Sequence, residues 1–143
     1  MKQISKYFFP LFILSIVYLL LSGNLFSPSP FVIAVQVLAL MLGIWARRNF
    51  QAGQFSTGAD PKEGQLLMTG PYRFIRHPIY AIVLVLIWSS VLVNASISNI
   101  IISVIMTVVT GIRIATEEEF LRAHHPGYAE YSRKTKRIIP FII

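Results

Sequence analysis

Two clusters hold most of the side chains able to do chemistry. The first is the run Gly70-Pro71-Tyr72-Arg73-Phe74-Ile75-Arg76-His77-Pro78-Ile79-Tyr80. Proline suits the first position of a helix, where its missing N–H costs nothing, so a helix is predicted to begin at Pro78. The free N–H groups and positive dipole end of that helix would sit beside Arg73, Arg76 and His77, an arrangement suited to an anionic group. The same residues also read as cationic and aromatic anchors at a membrane boundary. In the second cluster Ser103, Thr107, Thr110, Arg113 and Glu117 are spaced by four, three, three and four residues. At ~100° per residue they share one helical stripe about 120° wide, with Glu118 at its edge. One reading is a polar track ending in a charged pair, which the ~2.5 to 3.5 kcal/mol cost of a charge at mid-membrane would turn toward a protein-facing cavity; it stands level with the second. The other is interhelical Ser and Thr hydrogen bonds plus an Arg113–Glu117 pair worth only ~0.2 to 0.5 kcal/mol.

Other chemistries find no residues. The chain has no cysteine, hence no disulfide, thiol nucleophile or thiolate metal site. Its three histidines, two of them adjacent, make no metal-ligand spacing, and no metal site is expected. No Gly-rich phosphate loop and no Ser-His-Asp set is present.

The elements that must position these clusters are apolar. Of 143 residues, 55% are hydrophobic and 13% charged, against roughly 25% charged in soluble domains. Four apolar runs, each near the ~20 residues that cross hydrocarbon, predict spans at 6–22, 30–47, 78–94 and 97–115. All thirteen Lys and Arg lie at or before the start of the first span, from the end of the second to the start of the third, or at and beyond the end of the fourth. The connections 22–30 and 94–99 carry no charge. Four spans with both termini in the cytoplasm put every cation on one side. The expected fold is thus an all-α integral membrane bundle of about four transmembrane helices, one domain over 1–143. The segment after the fourth span, broken near Pro126-Gly127, is expected to form cytoplasmic interfacial helices lying as a lid. The polar stretch 49–69 reads as a functional loop. The basic start and apolar core of 1–22 also match a signal peptide, but its removal would leave an odd number of spans; retention is expected. The net charge of +7 reads as topology and contact with anionic lipid rather than nucleic-acid binding.

The run 70–80, followed by Arg113, Glu117-Glu118, Phe120-Leu121, Tyr128, Tyr131 and 137–140, resembles the isoprenylcysteine carboxyl methyltransferase family. Related membrane methyltransferases that act on phospholipid amines, thiols and other lipophilic acceptors share the pattern. The resemblance covers about 63–143 and implies S-adenosylmethionine in a cytoplasmic pocket built from 63–80 and 113–140, with a lipophilic or lipidated acceptor entering from the bilayer. Arg76, His77, Pro78 and Tyr80 match the family's Arg-His-Pro-x-Tyr cofactor motif. Glu117 and Glu118 match its acidic pair, Arg113 the arginine before that pair, and Tyr128 and Tyr131 its tyrosines. Tyr72, beside the motif, joins the expected cofactor-binding set with Glu118, whereas Arg113 and Glu117 are the expected catalytic residues. The chain departs from the pattern at Ile82, at Pro126 and at Lys136.

The residue chemistry agrees with that implication. Carboxylates suit ribose hydroxyls and a sulfonium cation, and Arg, His and a helix N-terminus suit a methionyl carboxylate. Two other readings stay open: an NADPH-dependent membrane reductase of the sterol type, which carries a similar Arg-His-Pro segment, and a non-enzymatic membrane interaction protein. The expected location is a bacterial or archaeal inner membrane. The charge partition makes a direct prediction: a topology reporter fused at Ile143 reads cytoplasmic and one inserted at Ser96 reads external. Both on one side would overturn the four-span arrangement.

Overall fold

The computed structural model describes residues 5–26, 28–49 and 66–139. Among them are five α-helices: α1 (Phe8–Leu21), α2 (Pro30–Arg48), α3 (Pro78–Val93), α4 (Ile97–His124) and α5 (Tyr128–Lys134). A 3₁₀ turn at Gly70–Arg73 precedes α3. The predicted loop 49–69 falls mostly outside the described residues.

Local chemistry sets the helix starts. Pro30 and Pro78 open α2 and α3, where a missing N–H is harmless. At α4 the Ser96 hydroxyl accepts from the Asn99 N–H at 3.2 Å, satisfying a donor that would otherwise be orphaned. α4 ends at His124 because His125 precedes Pro126 and takes an extended conformation, φ −123° and ψ 104°.

α3 packs between α2 and α4, and α1 lies against α4. Phe8, Leu19, Val83, Ile87, Met106 and Val109 form the buried apolar core of α1, α3 and α4. The two uncharged turns meet at one end: Asn94 Nδ2 donates to Asn24 Oδ1 at 3.3 Å, and Asn99 Nδ2 donates to the Asn94 carbonyl at 2.7 Å. Gln36 of α2 adds bonds to the Leu25 carbonyl (2.7 Å) and Ser89 Oγ (2.8 Å). The outward faces are apolar, with Leu14, Leu21, Phe31, Leu38, Met41 and Val108 exposed, a surface suited to hydrocarbon rather than water.

α2 and α4 are long and apolar enough to cross a membrane by length and composition. α1 and α3 are apolar but only 14 and 16 residues long, or about 21 and 24 Å at 1.5 Å per residue, short of a ~30 Å core. The predicted spans 6–22 and 78–94 are therefore shortened to these helices. The fourth predicted span, 97–115, instead continues nine residues further, to His124. The one helix therefore carries Arg113, Glu117 and Glu118 together.

The terminal segment is not wholly helical. After α5 it runs beside the strand-like stretch before α3: Arg76 N–H donates to the Lys136 carbonyl (2.7 Å), His77 N–H to the Arg137 carbonyl (2.9 Å) and Lys136 N–H to the Phe74 carbonyl (3.0 Å). Gly70 anchors the other end of that stretch. Its φ of +57° is left-handed, and an added Cβ would come within 2.3 Å of Asn49 Nδ2. That amide is itself held, donating to the Trp45 carbonyl at 2.7 Å. Gly70→Ala is expected to cost about 1–2 kcal/mol through the left-handed backbone, plus the displacement of Asn49. Gly127→Ala, with φ −77° and open space around it, is expected to stay within about 0.5 kcal/mol of the native protein. Thermal unfolding in detergent checks the contrast.

Candidate active site

Consecutive carboxylates on α4 organise the site, because residues one apart on a helix point about 100° from each other. Glu118 is 3% exposed. A buried carboxylate needs charged or hydrogen-bonding partners, and it has several. Arg76 Nε lies 3.0 Å from Oε1, Arg137 donates through Nε at 3.2 Å and its terminal nitrogen at 3.1 Å to Oε2, and Arg122 stands 3.6 Å away. Arg76 also donates to the Ser132 carbonyl at 3.0 Å and to the Thr135 carbonyl. It thus joins α4, the end of α5 and the extended terminal segment.

Glu117 faces a different set. Tyr80 donates its hydroxyl to Oε1 at 2.5 Å, and Arg113 Nε donates to the same oxygen at 3.0 Å. Arg113, 3% exposed, also reaches the Tyr80 hydroxyl at 3.1 Å and, through a terminal nitrogen, Ser5 Oγ at 3.2 Å and the Ser5 carbonyl at 3.3 Å. His77 lies between the two carboxylates: Nδ1 is 3.8 Å from Glu117 Oε2 and Nε2 is 3.5 Å from Glu118 Oε1.

Three tyrosines close the Glu118 side. Tyr131 donates to the Tyr72 carbonyl at 2.7 Å, fastening α5 to the 3₁₀ turn, and its ring lies 6.0 Å from that of Tyr128. Burial and the neighbouring Glu118 charge push the Tyr128 phenol up to about 12, so it keeps its proton at neutral pH. Burial raises the Tyr72 and Tyr131 phenols too. His77 Nε2 and the Tyr128 hydroxyl are both buried beside Glu118, whose carboxylate they face without the close, well-aligned geometry of a strong hydrogen bond.

The fold therefore brings Arg76, His77, Tyr80, Arg113, Glu117, Glu118 and Tyr128 together, with Tyr72 and Tyr131 behind them and Pro78 starting the helix that carries Tyr80. The expected anion cradle at the start of α3 differs in its parts. Arg73 turns away, its guanidinium 4.8 Å above the Phe74 ring. Arg76 is engaged with Glu118, and the backbone N–H groups of Arg76 and His77 are taken by the terminal segment.

The stripe on α4 also divides. Ser103 Oγ donates to the Asn99 carbonyl at 2.8 Å and Thr107 Oγ1 to the Ser103 carbonyl at 2.7 Å, while Trp88 Nε1 donates to Thr107 Oγ1. These hydroxyls bond back into α4 itself, with Trp88 and the Ile87 carbonyl of α3 (3.4 Å from Ser103 Oγ) joining them to the neighbouring helix, and the charged cluster begins at Arg113. Sequence reasoning counted Arg137 in the family pattern and in the expected cofactor region without naming it a site residue, and it gave no role to Thr135 or Ser5; nothing local marks Ser5.

A family model described as phospholipid methyltransferase matches residues 29–126, more than half of the chain. The match takes in both motif clusters and leaves out Ser5, Tyr128, Tyr131 and Arg137. No curated protein and no solved structure matches the chain.

The two arginines on Glu118 differ in burial, and this generates a prediction. Arg76→Ala leaves a buried carboxylate short of its inner partner and is expected to destabilise by about 3–5 kcal/mol. The half-exposed Arg137 is worth about 1 kcal/mol or less when replaced by Ala, as solvent-screened pairs are. Denaturant unfolding in detergent checks the order, and equal losses would contradict it.

Proposed function

The chain belongs to the phospholipid methyltransferase family, whose members are membrane methyltransferases, and from that premise we propose that it uses S-adenosylmethionine to methylate a lipophilic acceptor at the cytoplasmic face of the bilayer. The observation that carries the reading is His77 held between Glu117 and Glu118, with its Nε2 3.5 Å from Glu118 Oε1 and the Tyr128 hydroxyl buried beside the same carboxylate. Buried polar atoms are normally closely bonded, so these loosely held ones are suited to a polar ligand. Family membership favours methyl transfer over the sterol-type reductase reading.

Bound S-adenosylmethionine supplies an electrophilic methyl group for in-line displacement. His77, Glu118 and Tyr128 are the residues to hold it: the carboxylate complements a sulfonium and ribose hydroxyls, and the phenol O–H and an imidazole N–H offer donors. Tyr72 and Tyr131 back Tyr128 and keep water out, which strengthens each polar contact. On the other side Arg113 and Tyr80 fix Glu117 Oε1, leaving Oε2 as the oxygen to face an acceptor. A carboxylate acceptor, already ionised, needs no base, whereas a thiol or lipid amine gives up a proton that Glu117 is placed to receive. Holding donor and acceptor in line is the main catalytic contribution expected of such a site. The apolar outer faces of α2 and α4 support entry of the acceptor from lipid.

Calorimetry with S-adenosylhomocysteine in detergent tests the reading. The native protein is expected to bind, and His77→Ala and Glu118→Gln, confirmed helical by circular dichroism, are each expected to bind at least tenfold more weakly, ~1.4 kcal/mol or more. No binding by the native protein, or unchanged affinity in both folded variants, overturns the assignment.

A further inference from the structure

Ser5 is the first described residue and lies outside the family match, yet it is fully buried against Arg113, 108 positions away. Both of its oxygens accept from one terminal nitrogen of that guanidinium, Oγ at 3.2 Å and the carbonyl at 3.3 Å. The Nε side of the same guanidinium points to Glu117 Oε1 and the Tyr80 hydroxyl. One turn on, the buried Phe8 ring stands edge-on to the Tyr80 ring, 5.1 Å between centroids at 83°. The segment 5–8 thus touches both side chains that hold Glu117, one through hydrogen bonds and one through ring packing.

We propose that Ser5 is a positioning residue: it fixes the Arg113 guanidinium so that Arg113 and Tyr80 hold the Glu117 carboxylate toward the acceptor. The physical argument is satisfaction of donors. A guanidinium is planar and its five N–H groups point in fixed directions, so pinning one edge sets where the other edge points. Without the Ser5 hydroxyl, that nitrogen keeps the Ser5 carbonyl but loses its shorter acceptor, so the plane in which Nε is presented to Glu117 and Tyr80 is held less closely. This inference rests on the proposed methyl transfer, because the readout is acceptor turnover.

The test pairs near-isosteric replacements in the full chain, with phosphatidylethanolamine in mixed micelles and, separately, a farnesylated cysteine as probe acceptors. Ser5→Ala and Ser5→Val are expected to lower kcat at least fivefold while S-adenosylhomocysteine affinity stays within twofold. Ser5→Thr, which keeps the hydroxyl on the shape of Val, should recover most of the loss. A second readout needs no activity: the shift in melting temperature caused by Ser5→Ala should shrink by at least half in an Arg113→Met background, as coupled contacts require. Native turnover with undiminished kcat in both Ser5→Ala and Ser5→Val, or additive melting shifts, overturns the proposal. Absence of both turnover and S-adenosylhomocysteine binding in the native chain would instead fail the functional reading on which it stands.

Discussion

A carboxylate with almost no access to water is the constraint on which the charged end of this molecule depends. Burying Glu118 is costly unless cationic donors surround it, and they come from three places in the chain: Arg76 before α3, Arg122 one turn on in α4, and Arg137 after α5. Meeting that requirement draws the terminal segment back onto the stretch 74–77, where backbone hydrogen bonds then complete the attachment. α5 is short, at seven residues, and an isolated helix of that length is unstable in water. It exists because its buried tyrosines and the Arg76 contacts to Ser132 and Thr135 hold it in place.

Glu117 is the counterpart on the other side of the same turn of α4. Its neighbour is locked among arginines, but Glu117 keeps partial exposure and one oxygen engaged by Tyr80 and Arg113. The helix angle between successive residues separates the two carboxylates, and His77 sits in the angle. A single unbroken helix from Ile97 to His124 makes that separation rigid, so the spacing between the two halves of the site does not depend on a loop.

The two ends of the bundle are stabilised in unlike ways. At one end neutral amides, Asn24, Asn94, Asn99 and Gln36, tie two uncharged turns together. Such bonds suit a membrane protein, since they satisfy polar groups without introducing charge. At the other end full charges are paired. The separation leaves the apolar middle of α3 free to pack on both α2 and α4, which is why the helix carrying Tyr80 is a fixed wall of the site.

Much of this was legible along the chain. Apolar runs gave helices, because a run of that length buries its backbone polar groups only as a helix in an apolar setting. Pro30, Pro78 and Pro126 placed helix boundaries through the missing N–H and the restriction on the preceding residue. The motifs around 70–80 and 113–118 identified the residues that would meet, and the family match covers both. Other features depended on distances that no local pattern encodes. α4 runs beyond the predicted span to His124, with Thr116 and Glu118 buried against the protein. Arg76, read as free to receive an anion, is occupied because Glu118 lies beside it, and that contact joins residues 42 apart. Ser5 had no sequence signal at all, since a lone serine ahead of an apolar helix is ordinary. What the sequence determined by itself was the set of helices and the identity of the charged groups, both local matters of hydropathy and backbone geometry; which charge neutralises which was decided only by tertiary structure, because pairing energy depends on burial and separation in space.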